Sequence, residues 1–190
     1  DIRLGVELLR QTETLVGHNI LCYDLPALKK VFGFVHEGEV YDTLNVSRLI
    51  YTNLLDIDFK IKRCPKNLYG SHSLEAWGYR LGEAKGDYKG PWDKWSEAMQ
   101  QYCEQDVKVS EALYNKLKSK NYSERAIWIE HEFQKIIFRQ ENNGILFDTE
   151  TAEHYATRVS EDIKERKESL KRVMPIKVKR AGCLTPKRDN

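Results

Sequence analysis

The 190-residue sequence has almost no excess of charge of either sign: Lys and Arg number 31, Asp and Glu 29, for a formal net charge of +2. That balance removes the whole-chain basic footprint common among nucleic-acid-binding proteins, so any such contact has to come from a local cluster. Long apolar runs are lacking as well. No stretch approaches membrane-spanning length and no charged-then-apolar leader opens the chain, so a soluble, cytoplasmic protein with no membrane partner is expected. Cysteine is sparse, and Cys22, Cys64, Cys103 and Cys183 lie far apart. The five histidines, His18, His36, His72, His131 and His154, are scattered too, and no pair of either type falls at zinc-ligand spacing. Neither a disulfide framework nor a structural zinc is expected, and the histidines are read as surface or satisfied core residues.

Hydrophobic residues make up 41% of the chain and charged residues 32%, enough for one globular domain, with or without an extension. The first residue is Asp1, and helical sequence follows at once, as in a fragment of a longer protein. Residues 3 to 11 form an amphipathic pattern through Leu4, Leu8 and Leu9. A buried strand at 14–18 leads through a turn to a helix from Asp24 to Phe32, stopped by Gly33. A second strand over 39–44 follows, with Asp42 or Thr43 capping a helix through Ile50. Strand, helix, strand, helix predicts a parallel pair joined by a right-handed crossover. Residues 56–66 show no clear period and read as an exposed loop carrying Lys60, Lys62, Arg63 and Lys66. Those charges fit solvated loop residues and phosphate contacts equally well.

Ser71 or Ser73 caps a short helix through Leu74, Trp77, Gly78 and Leu81, and the glycines at 82, 86 and 90 make the next segment loop. A long helix is expected from 92 to 118, with Trp95, Met99, Tyr102, Asp106, Val109, Leu113 and Leu117 on one stripe. Asp106 is the anomaly, a carboxylate facing the same way as the apolar residues, where a buried ion pair or a functional ligand would account for it. Asp24 is ambiguous in a similar way. Before Leu25 and Pro26 it suits a helix N-cap, and at a strand-to-helix join it also suits an exposed ligand. Two long helices close the pattern. Ser123 caps the first, Asn142-Asn143-Gly144 stops it, and Asp148 or Thr149 caps a second with nearly heptad spacing, so an antiparallel hairpin is expected. A basic tail from Pro175 has no periodicity and is expected to be mobile.

Asn19-x-x-x-Tyr23-Asp24 followed by Tyr102-x-x-x-Asp106 resembles the second and third motifs of proofreading 3′-to-5′ exonucleases that carry four acidic residues and a tyrosine. The resemblance is closest to the exonuclease domain of family A, DNA polymerase I-like, replicative polymerases of short-tailed phages. Two further blocks support it, residues 41–49 and the tryptophan-containing stretch from Gly70 to Gly82. It runs from about Thr14 to Arg158, and Ile129-Glu130-His131 through Asp148-Thr149 looks like the base of the polymerase thumb.

The resemblance implies an α/β, ribonuclease H-like exonuclease fold lacking its opening strands over residues 1–122, a thumb-base helical hairpin over 123–174, and the basic tail over 175–190. It implies removal of 3′-terminal nucleotides from single-stranded DNA, with the remainder of a polymerase chain as partner. Such hydrolysis uses two divalent ions, Mg²⁺ or Mn²⁺, about 3.5–4 Å apart, held by carboxylates. By resemblance Asp24 and Asp106 are metal ligands, Tyr102 orients the attacking water, and Asn19 and Tyr23 face substrate together with Lys60, Lys62, Arg63 and Lys66. The family's first motif, Asp-x-Glu on the opening strand, has no counterpart in order within this sequence, since Asp148-Thr149-Glu150 and Asp56-Ile57-Asp58 are misplaced. A two-ion site is therefore expected to be incomplete, a strand edge exposed and the chain inactive by itself. Two other classes compete: a non-catalytic nucleic-acid-binding or structural module with the same fold, and a free-standing RNA exonuclease.

Overall fold

The computed structural model describes residues 2–83 and 88–174. It divides into two units, 1–143 and 144–190. The first unit contains α1 (Ile2–Arg10), β1 (Thr14–Gly17), α2 (Asp24–Phe32), β2 (Glu39–Asp42), α3 (Thr43–Ile50) and α4 (Leu54–Ile61). A 3₁₀ turn (Lys66–Leu68), α5 (Leu74–Leu81), α6 (Glu97–Lys118) and α7 (Glu124–Asn143) complete it. The second unit contains α8 (Thr149–Val173). The expected basic tail lies outside the described residues. Among the described residues, no helix is long and apolar enough to cross a membrane.

The architecture is α/β, mostly helical, around one small sheet. β1 and β2 pair in parallel, Thr14 opposite Glu39 and Gly17 opposite Asp42, so the strand–helix–strand–helix reading holds. A two-stranded sheet is marginal without packing. Here α3 and α6 lie against it. Among the described residues the outer edge of β1 has no strand partner, and Val16 on it is exposed. β2 ends two residues earlier than expected because Asp42 becomes the N-cap of α3, its carboxylate accepting from the amides of Leu44 and Asn45.

Two apolar clusters hold this unit. Val6, Leu15, Ile20, Leu21 and Phe34 join α1 and β1 to the turn that follows β1. Tyr41, Val46, Leu54, Trp77, Leu113, Leu117 and Ile127 join β2 to α3 through α7. Gly33, in the left-handed region at φ 60°, stops α2 where the sequence indicates. Ser73, Ser96 and Asp148 cap α5, α6 and α8 with side-chain oxygens, and Ser123 Oγ accepts from the Ala126 amide at the start of α7. None of the residues of α8 is buried.

Two expectations need correction. The long helix starts at Glu97 rather than at 92, because Ser96 Oγ accepts from the Met99 amide at 3.2 Å and fixes the first turn there. Trp92 and Trp95 precede it and are exposed. Residues 56–66 are not a loop throughout, since α4 and the 3₁₀ turn occupy most of them. The helical period was hidden because the second buried position of α4, one turn after Leu54, is Asp58.

Asp58 is buried against Arg80 of α5, with Nε and Nη2 donating to its two oxygens at 2.9 and 2.7 Å. The Gly70 amide donates to the same carboxylate at 2.8 Å, and Arg80 also donates to the Ser71 carbonyl at 2.7 Å. Burial by itself would push the Asp58 carboxyl up, but Arg80 and the Gly70 amide outweigh it and hold it below its ordinary range. Breaking such a pair leaves a buried charge without its counter-ion. Arg80→Met is expected to cost about 3–5 kcal/mol of unfolding free energy in urea. The double change Asp58→Leu with Arg80→Met is expected to cost less than Arg80→Met alone.

Candidate functional site

The segment between β1 and α2 is shaped by close packing and by one buried acid. At Gly17 a Cβ would come within 2.7 Å of Ile20 Cβ, so the strand can turn back on itself there only as glycine. Asn19 takes φ 65°, a left-handed conformation that asparagine tolerates better than most residues. The Asp42 carboxylate, fully buried, reaches across from the end of β2. One oxygen accepts from the Asn19 amide at 3.0 Å and the other from the Leu21 amide at 3.2 Å. The first oxygen also accepts from Leu44 at 2.9 Å and Asn45 at 3.4 Å, so a single carboxylate caps α3 and fixes the turn before α2. The Asp42 amide donates to His131 Nε2 on α7 at 2.9 Å. His131 is thus a satisfied core histidine, as expected.

Thr43 Oγ1 donates to the Gly17 carbonyl at 3.1 Å, which leaves its lone pairs for the Nδ1–H of His18 at 3.0 Å. That network assigns a neutral His18 protonated at Nδ1. Burial pushes its pKa down to about 4, against the opposing pull of the Asp42 charge. Burial lowers His72 and His131 as well.

Asp24 is the first residue of α2, whose N-cap position is Tyr23, and no side chain caps this helix. The capping role considered for Asp24 is therefore not the one it fills. A helix entered directly from the Asp42-held turn presents its first side chain to the neighbouring cleft. This cleft, about 780 Å³, runs along β1 between α2 and α6, and Asp24 and Asp106 both line it, with Val16, Leu28 and Tyr114. Crowding at the wall raises the Asp24 carboxyl above its ordinary value; its own backbone amide opposes the shift and the Asp42 charge adds to it.

The other expected residues are distributed around this pair. Tyr23 lines the cleft and is 70% exposed, while Asn19 contributes its backbone to the Asp42 network. Tyr102, one turn before Asp106 on α6, has its ring 6.1 Å from Tyr88 and 5.8 Å from Trp92. Lys60 at the end of α4, Lys62 and Arg63 just after it and Lys66 at the start of the 3₁₀ turn are exposed, and none lines the cleft.

Carboxylate oxygens suit a hard divalent cation. Among the described residues, however, no three or more His, Cys, Asp or Glu side chains gather as a metal site. Among the described residues, the carboxylates that line the cleft are Asp24, Asp106 and Glu111. Sequence reasoning saw Asp42 as a possible cap only. A charge ending the run Val40-Tyr41-Asp42 was the signal that it had a second, buried task.

No protein-family model matches the chain. The chain is 37% identical to the DNA-directed DNA polymerase of Escherichia phage T7 and 36% identical to that of Enterobacteria phage T3 over the matched stretch. The chain belongs to the phage DNA polymerases of family A. Each match covers 73% of this chain and 26% of the relative, so the chain spans about a quarter of those proteins.

Two pH effects follow for this chain. A histidine held neutral in the folded state and free to charge in the unfolded one makes the unfolded form bind more protons between pH 6.5 and about 4. Urea stability is expected to fall across that window as pH drops, by up to about 1.4 kcal/mol per pH unit for His18, and His18→Asn should flatten the slope. Asp24 has the opposite sign: its folded pKa is raised, so ionising it costs stability as pH rises. Asp24→Asn is expected to raise Tm modestly at neutral pH and to leave it unchanged below the carboxylate range.

Proposed function

We propose that residues 1–122 are part of a ribonuclease H-like 3′-to-5′ proofreading exonuclease within a phage DNA polymerase, and that residues 123–174 begin its thumb. One observation carries the reading: Asp24, from the turn after a parallel strand, and Asp106, from a long helix, line the same cleft although the sequence keeps them far apart. Clefts at the carboxyl ends of parallel strands are where α/β folds bind ligands. Relatedness to phage DNA polymerases supports a DNA substrate and the rest of a polymerase as partner.

In this reading a 3′-terminal strand lies in the cleft, and Tyr102, one turn before Asp106, orients the water that attacks the terminal phosphodiester. The water oxygen forms a bond to phosphorus, the bond to the 3′ oxygen breaks, and that oxygen takes up a proton as a nucleoside monophosphate leaves. Divalent ions, Mg²⁺ or Mn²⁺, supply charge neutralisation at the attacking and leaving oxygens when bound. Asp24 and Asp106 are the residues of this chain that would hold one. A second ion needs carboxylates beyond these two, such as the Asp-x-Glu motif of the family. The small carboxylate set favours a second reading, a nucleic-acid-binding module without chemistry.

The two readings separate in one assay on 3′-labelled single-stranded DNA with Mg²⁺ or Mn²⁺. The 190-residue polypeptide alone is expected to release little or no nucleotide, and robust release abolished by Asp106→Ala would overturn the need for further carboxylates. In a polymerase that contains this sequence together with an upstream Asp-x-Glu strand, Asp24→Ala and Asp106→Ala should each cut release about a hundredfold or more, with nucleotide addition retained. Unchanged release in both variants would favour the non-catalytic module.

A further inference from the structure

The basic cluster at the end of α4 is joined to two aromatic rings that the nuclease reading does not use. Phe59 is 60% exposed, and its ring meets that of Tyr69 edge to face, with centroids 5.3 Å apart and planes at 87°. An apolar ring so open to water calls for a physical reason. The pair is not loose: Asp58 precedes Phe59, Gly70 follows Tyr69, and the buried Asp58 carboxylate accepts from the Gly70 amide while it pairs with Arg80. A second rung lies one helical turn earlier, where Gly70, at φ 72°, packs closely on Leu55. The fold thus uses a buried ion pair to hold two rings at its surface.

Basic residues flank both rings. Lys62 follows Phe59 by three residues at the end of α4, and Lys66 precedes Tyr69 by three in the 3₁₀ turn, where residues at that spacing eclipse. Lys60 and Arg63 add two more exposed charges, and Asp56 is the one exposed acid between Asn53 and Tyr69. Cys64 is buried between Arg63 and Pro65 and pins the middle of the basic run to the core. An edge-to-face pair leaves ring faces open, and a surface that offers paired aromatic faces beside exposed cations matches a single-stranded nucleic acid. Its bases stack on the rings and its phosphates meet the lysines.

We infer that Phe59 and Tyr69, with Lys60, Lys62, Arg63 and Lys66, form a base-stacking platform for single-stranded DNA. The platform stands apart from the nuclease reading, because it requires neither Asp24 nor Asp106 nor a metal.

Fluorescence anisotropy of a fluorescein-labelled oligothymidylate, titrated with the 190-residue chain in EDTA, tests it without any cleavage. Phe59→Ala is expected to weaken binding about fivefold or more, with its urea midpoint unchanged because the ring is mostly exposed. Phe59→Trp should keep the affinity. Lys62→Gln and Lys66→Gln should each lower the slope of log K against log salt by about 0.7. An abasic sugar-phosphate strand of the same length should bind weakly and be indifferent to Phe59→Ala. Equal binding of oligothymidylate by Phe59→Ala and the parent chain would overturn the platform, as would an equal loss on the abasic strand. Polyglutamate binding as tightly as DNA with the same Phe59 dependence would also overturn it and assign the surface to an acidic protein segment. Because the titration is run in EDTA and reads binding rather than nucleotide release, failure of the nuclease reading and failure of the platform give different results.

Discussion

The buried carboxylate of Asp42 is the interaction on which the cleft depends. It belongs to no ion pair among the hydrogen bonds it makes. Backbone amides of Asn19 and Leu21 on one side, and of Leu44 and Asn45 on the other, supply its solvation. A charge buried in this way is tolerated only when several donors converge on it. Those donors come from two segments that must therefore keep a fixed distance. The Asp42 amide extends the network to His131, so the end of β2 also anchors α7. Asp24 enters the cleft because the turn before it has no freedom to move away.

A second buried acid, Asp58, does the same at the other side of the unit. Its partners are Arg80 on α5 and the Gly70 amide, and between them they tie α4 to the segment that leads into α5. Arg80 also lies over the ring of Trp77, 5.0 Å from its centroid, which couples the ion pair to the main apolar cluster. Both acids are worth more to this fold as organisers of backbone than as sources of net stability, since desolvation offsets much of the attraction in a buried pair. What they organise differs: Asp42 shapes the wall of a cleft that carries carboxylates, and Asp58 holds a surface that carries rings and cations.

The site pair illustrates how far a pattern can be read. Asp106 was conspicuous because a carboxylate on an apolar stripe contradicts the period, and in the structure that stripe is buried at Val109, Leu113 and Leu117 and opens to the cleft at Asp106. Asp24 was less legible, since a cap and a ligand look alike before Leu25 and Pro26. The structure removes the cap by placing Asp24 inside the first turn, one residue past the N-cap position at Tyr23. α4 was not legible at all. Its periodicity passes through Asp58, and a charged residue counts as buried only once its partner, 22 residues later, is known.

The sequence by itself determined the parallel strand pair, the stops at Gly33 and Gly144, the caps at Ser73, Ser123 and Asp148, and the presence of two suspicious acids. All of these rest on local chemistry: backbone freedom, unpaired helix amides and short-range periodicity. Tertiary structure alone decided that Asp24 and Asp106 share a cleft, that Asp42 holds the turn between β1 and α2, and that Phe59 and Tyr69 meet at the surface. Each of those facts depends on where a distant segment returns to the same point, and that is fixed by packing across the whole unit rather than by the neighbours of any one residue.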